Sequence, residues 1–227
     1  MKHALQKLKA PPLPGRGLQV LIAQIAVLLL VPLADTGEER VNATAVIVAV
    51  SLATFATWSV AGRAWGITLM ILSGSAVLAG LIARASDSAN VRFFAGFDLV
   101  IAYLVATYAV GRAAFSPRLQ GTERIYCGIA SFILFAFAFA VLHERVSHWS
   151  PGAYALNDSI EGKRGTHWSD FLWLSFSTIT TSGFADTTPV SPWARVVASL
   201  EGLVGILYPA TFIARVVSLP PDEKALV

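Results

Sequence analysis

Residues 178–186 read TITTSGFAD, with four hydroxyl side chains, a glycine and a closing carboxylate in one short stretch. Hydroxyl and main-chain oxygens at this density can coordinate a cation, provided the backbone is held open and water is kept away. A second candidate for chemistry is Glu201, a lone carboxylate inside the apolar run 193–217. His143, His148 and His167 form a third group, and histidine changes charge near neutral pH. The single thiol, Cys127, lies within an apolar run and reads as a buried, inert side chain. No nucleophile elbow, nucleotide-binding motif, metal-ligand spacing or catalytic dyad occurs, so the chain reads as a non-enzyme without a cofactor.

The elements that must position these residues are membrane helices. Of 227 residues, 55% are hydrophobic and only 14% charged, against roughly 25% charged in soluble domains. Mean hydropathy is +0.63. Six apolar runs stand out, Leu18–Ala34, Val41–Ala61, Ala64–Ala83, Phe93–Gly111, Ile125–His143 and Trp193–Val217, each near the ~20 residues that a span needs. The first reads as a retained transmembrane helix rather than a signal peptide, since it is longer than a typical signal core and Pro32 stands where a cut after Ala34 would need a small residue. The basic residues are spread over several loops rather than gathered on a nucleic-acid face. With the N-terminus cytoplasmic, the tail residues Lys2, Lys7, Lys9 and Arg16 and the loop residues Arg112, Arg118 and Arg124 fall inside, while Asp35, Glu38 and Glu39 crowd the first outer loop. The charge bias therefore puts both termini in the cytoplasm, in a multi-pass protein of a bacterial-type plasma membrane. The expected organisation is a tail (1–17), a four-helix unit (18–115), a linker (116–124), a second membrane unit (125–217) and a short cytoplasmic tail (218–227).

The second unit departs from simple spans. Glu144–Thr166 is polar and reads as an exposed outer turret. The following segment WSDFLWLSFSTIT, with Thr166 or Ser169 as N-cap, makes a helix of only about 20 Å, too short to cross. It must enter from outside, and TITTSGFAD must return the chain to the same side. Irregular backbone at membrane depth is tolerated only when buried in protein or lining a water-filled cavity. Several copies around an axis would satisfy the carbonyls with dehydrated cations, and the short helix would aim its partly negative C-terminus at them.

Thr178–Pro189, TITTSGFADTTP, resembles the signature of tetrameric potassium channels, usually T-x-T-T-V-G-Y-G-D-x-x-P. Thr178, Thr180, Thr181, Gly183, Asp186 and Pro189 match. The resemblance covers 125–217 as outer helix, pore helix, filter and inner helix, and implies a homotetramer among membrane lipids with no nucleic-acid partner. It implies ion sites at Thr181, Ser182, Gly183 and Phe184, supported by Thr180, Ala185, Asp186, Trp173 and Ser177. Trp173 falls where the family bonds the aspartate after the filter, here Asp186. Ser182, Phe184 and Ala185 depart from the family's aliphatic residue, tyrosine and second glycine. An L-residue held at positive φ costs roughly 1–2 kcal/mol, so either Ala185 is strained or the Phe184 carbonyl points elsewhere. Phe184 lacks the tyrosine hydroxyl, and Leu174 stands where its usual partner would be. The Ser182 hydroxyl needs a partner, for which Ser177 is the candidate.

In the last run, Pro209 leaves the carbonyl of Gly205 without a donor, which favours a bend. The resemblance puts Gly205 at a gating hinge, with Ile206, Pro209, Ile213 and Val217 lining the gate. Glu201 serves either a structural hydrogen bond behind the filter or an ion-facing role. No helix carries basic residues at every third position, so the usual voltage-sensor mechanism is not expected. The functional expectation is passive potassium conduction. Its alternatives are a poorly selective monovalent cation channel that also passes sodium, and, in another class, a nonconducting structural or transporter-like membrane protein.

Overall fold

The computed structural model describes residues 15–34, 62–84, 88–94, 96–116, 121–157 and 167–218, together with 58, 60, 86 and 119. Seven helices and a two-stranded ribbon are described: α1 (Arg16–Ala34), α2 (Arg63–Arg84), α3 (Ala89–Phe94), α4 (Phe97–Ala114), α5 (Gly121–Trp149), β1 (Tyr154–Leu156), α6 (Trp168–Ile179), β2 (Thr187–Pro189) and α7 (Pro192–Val217). Among the described residues, α4, α5 and α7 are long and apolar enough to cross a membrane. The expected span Val41–Ala61 lies outside the described residues except at positions 58 and 60.

Several sequence boundaries shift. The run beginning at Phe93 divides, because Phe93 ends in the short α3 and α4 starts afresh at Phe97. The linker expected to reach residue 124 is shorter, and α5 extends beyond Ile125–His143 at both ends. Its early start has a cause in Glu123. That carboxylate accepts from the backbone N–H groups of Gly15 (3.1 Å) and Gly17 (2.6 Å), so one anion serves the exposed donors at the start of α1 and lies in the first turn of α5. Each position favours negative charge. A Cβ at Gly17 would approach the Glu123 carbonyl and carboxylate oxygens to 2.8 Å.

Helix α5 is the scaffold. On one side it meets α4, where Tyr103 stacks on Phe137 with ring centroids 5.7 Å apart. The same Phe137 ring stacks on Trp168 (6.4 Å) and meets Phe176 edge-on (6.2 Å), both on α6. A single aromatic ring therefore ties α4 to the short α6. Helix α2 joins through Trp65 against Tyr108 (5.6 Å).

The expected turret is only partly a loop. Glu144–Trp149 continue α5, and Ala153 and Tyr154 are buried. β1 pairs antiparallel with β2, with Tyr154 opposite Pro189 and Leu156 opposite Thr187. The Ala153 carbonyl also accepts from Val190 and Ser191 N–H, at 2.9 and 3.2 Å. This ribbon clips the turret to the segment that leaves the filter. Residues 158–166 lie outside the described set.

Helix α7 begins where Ser191 accepts from the Ala194 N–H (3.2 Å) and Pro192 presets the first turn. It runs through Pro209 to Val217 and lies close against both α5 and α6. Gly128 on α5 receives the Phe212 ring, and Gly205 on α7 meets the Ile179 main chain, so a Cβ at either site would collide. The obstacles differ in kind, since a ring can turn whereas a helix-terminal carbonyl cannot. We expect Gly205→Ala to cost about 1–3 kcal/mol, the usual range for overpacking, and to exceed Gly128→Ala. Thermal unfolding of the two purified variants checks this order, and equal losses would contradict it.

Candidate ion-binding filter

Helix α6 delivers the chain to the filter. Its N-cap is His167, not Thr166 or Ser169, and the His167 N–H donates to the Asp170 carboxylate at 2.8 Å. Twelve residues of helix rise about 18 Å. Beyond Thr180 the N–H groups turn back onto the helix that they have just left. Thr181 N–H donates to the Thr178 carbonyl (3.0 Å), and Ser182 and Gly183 both donate to the Ser177 carbonyl, at 2.9 and 3.3 Å. The Ser182 hydroxyl reaches that same carbonyl at 3.3 Å, and the Ser177 hydroxyl accepts from Ala185 N–H at 3.1 Å. Thr180 donates its hydroxyl to the Phe176 carbonyl at 2.6 Å.

This inward gathering of donors needs an unusual backbone. Thr181 (φ +57°) and Gly183 (φ +73°) lie in the left-handed region, at alternate positions. Gly183 adopts it freely, while Thr181 bears a cost of about 1–2 kcal/mol. In consequence, the carbonyls of Thr181, Ser182 and Gly183 accept no hydrogen bond among the described residues, and all three residues are exposed on the single chain.

The last part of the filter follows a different course. Ala185 is not at positive φ, so of the two alternatives left by the sequence, the strained one is not adopted. The Phe184 carbonyl instead accepts from the Trp173 indole N–H at 3.1 Å. This corrects two expectations. Trp173 bonds Phe184 rather than Asp186, and the Phe184 carbonyl is drawn toward the pore helix instead of lying unpartnered beside the three before it. Asp186 is held by its own carbonyl, which accepts from Asn157 N–H at 2.8 Å. The Phe184 ring is 75% exposed, whereas Leu174 is buried with Tyr154 and Phe171. Without a tyrosine hydroxyl to bond, that ring has no polar reason to dock on its own pore helix.

Behind the filter lies a polar cluster that the sequence reading did not assemble. Glu201 and His143 are fully buried, so Glu201 makes structural hydrogen bonds and His143 is part of the buried face of α5. His143 Nε2 is 2.9 Å from Glu201 Oε2, and His143 Nδ1 is 2.7 Å from the Tyr154 hydroxyl. The Ser175 hydroxyl contacts Glu201 Oε1 and the Ala136 carbonyl, the latter at 2.6 Å. Burial pushes the Tyr154 phenol above its ordinary range, so it keeps its proton. The sequence signal for this cluster was the lone carboxylate, but nothing in the spacing from 143 to 201 announces the contact.

On α7, Ile206, Ile213 and Val217 are exposed on the single chain, while Tyr208 reaches α5, where its hydroxyl bonds Ser131 and the Gly128 carbonyl. Pro209 is half-buried. The candidate gate residues and the tyrosine anchor thus occupy different faces of one helix.

Ser177 is the residue on which the filter's donors converge. Ser177→Ala leaves the Ala185 N–H without its acceptor, a loss of about 1–3 kcal/mol for a buried donor, while keeping the main-chain bonds of Ser182 and Gly183. Selective destabilisation of residues 184–186 is expected, and amide hydrogen exchange that rises there but not at 181–183 would show it. Uniform protection across 181–186 would contradict it.

Residues 129–220 match the sequence model of a family described as "Ion channel". No curated protein and no solved structure matches the chain. The matched segment takes in most of α5, the clip, the re-entrant helix, the filter and α7. Over this segment the chain is similar to that ion-channel family.

Proposed function

We propose that four copies of this chain surround a central pore through which monovalent cations, chiefly potassium, pass down their gradient. One observation carries the reading. The carbonyls of Thr181, Ser182 and Gly183 have no partner among the described residues, while the N–H groups of those residues are consumed by α6. At membrane depth each unsatisfied carbonyl costs several kcal/mol, and a ring of such oxygens can replace an ion's hydration shell. Helix α7 also leaves Leu200, Leu203, Ile206 and Ile213 uncovered, a face available to other copies. Copies of the same helix around an axis would cover part of that face and leave the remainder as an apolar lining. Ile206, Pro209, Ile213 and Val217 then form a constriction that closes by dewetting, with a bend at Gly205 and Pro209. In this arrangement six helices cross a plasma membrane of bacterial type, both termini are cytoplasmic, and the first four helices surround the pore without sensing voltage.

A second reading within the same class is weak selectivity. The Phe184 carbonyl is engaged by Trp173, so the outermost site loses a ligand from each copy. Fewer coordinating carbonyls reduce the preference for potassium over sodium.

Purified protein in liposomes under opposed potassium and sodium gradients tests both readings. Potassium flux well above sodium flux supports the first, equal flux favours the second, and no flux of either ion overturns the channel assignment. Ala185→Gly removes the penalty on positive φ that keeps the Phe184 carbonyl turned away. The expected result is a higher potassium-to-sodium permeability ratio, and an unchanged ratio would show that residue 185 does not govern the outer site.

A further inference from the structure

The buried cluster behind the filter joins four parts of the pore unit. His143 lies on α5, Tyr154 on the clip strand β1, Ser175 on the pore helix α6 and Glu201 on the inner helix α7. Among the described residues, the sole ion-pairing partner of Glu201 is His143. Counting protons decides the charge state. Ser175 has one hydroxyl proton but touches two oxygens, and the Ala136 carbonyl can only accept. If Ser175 donates to Ala136, the contact with Glu201 needs its proton from the acid. An ion pair of glutamate and imidazolium fails the same count on the other side. The imidazolium would donate from both nitrogens, and the Tyr154 hydroxyl proton would then lack an acceptor among the described residues.

One arrangement serves every contact once. Tyr154 donates to His143 Nδ1, His143 Nε2–H donates to Glu201 Oε2, Glu201 Oε1–H donates to Ser175, and Ser175 donates to the Ala136 carbonyl. We infer that Glu201 is a neutral carboxylic acid acting as a positioning residue for the filter, the central link of a one-way hydrogen-bond chain that fixes the pore helix and the outer clip against the inner helix. The chain grips the filter from both sides. Ser175 lies one turn before the filter, and β1 pairs with the strand that follows it. A neutral chain also avoids the several kcal/mol per ion of burying an isolated charge pair. The inference rests on the channel reading for its functional arm and is independent of it for its chemical arm.

The decisive variant is Glu201→Gln, whose amide can donate to Ser175 and accept from His143 in the same pattern. In liposome flux it should keep the wild-type potassium-to-sodium permeability ratio within about twofold, whereas Glu201→Ala should lower it roughly tenfold, the size of effect expected from one orphaned buried polar group. If Glu201→Ala does not assemble, Ser175→Ala removes the link to the pore helix alone and should lower the ratio similarly. Equal damage from Glu201→Gln and Glu201→Ala would overturn the neutral assignment. Unchanged selectivity in an assembled Glu201→Ala or Ser175→Ala channel would overturn the positioning role. Infrared spectra of wild type against Glu201→Gln give an answer that needs no conduction. Loss of a protonated-carboxyl band is expected, and loss of ionised-carboxylate bands would overturn the inference. Absent flux in the wild type would defeat the channel reading while leaving the infrared result to stand.

Discussion

Each peptide unit in a membrane must place both a donor and an acceptor, and the filter satisfies only the donors from within. The Ser177 carbonyl and hydroxyl together receive three main-chain N–H groups from residues 182, 183 and 185. This convergence requires the left-handed turns at Thr181 and Gly183. The same turns leave three successive carbonyls without a hydrogen-bond donor among the described residues. Everything else in the pore unit serves this arrangement. The short α6 brings the backbone to depth, Phe137 fixes α6 against α4 and α5, and the β1–β2 clip holds the returning strand.

The structure also explains why a filter with Phe184 and Ala185 need not be strained. Ala185 keeps ordinary backbone geometry because its N–H has found the Ser177 hydroxyl, and Trp173 has taken the Phe184 carbonyl. The polar groups that a tyrosine and a second glycine would require are absent together. What changes is the number of carbonyls left without a donor, since that of Phe184 is taken by Trp173.

Much of this was legible in the sequence because membrane physics restricts the choices. The short helix over 168–179 and the irregular stretch after it were readable because an apolar segment gives way there to hydroxyls, Gly183 and Asp186, which end a helix. The missing parts depend on contacts distant along the chain. Trp173 could have bonded either Asp186 or Phe184 from spacing alone, and the choice depends on the handedness of residues in between. His143 closes its apolar run, and nothing local to it shows that its ring meets a carboxylate 58 residues further on. Glu123 gave no sign that it would bind the start of α1, since a carboxylate in a helix's first turn already has a reason to be there.

The contact between Gly205 and Ile179 has a mechanical side. It places a fulcrum on the inner helix beside the base of the filter. From that point the helix runs four residues outward to Glu201, about 6 Å, and twelve inward to Val217, about 18 Å. A rigid tilt about the contact would move Val217 roughly three times as far as Glu201, and in the opposite direction. Held straight, the helix would gear a swing at Val217 down to a small countermovement at Glu201, whereas a bend at Pro209, between the contact and Val217, would spare Glu201 even that.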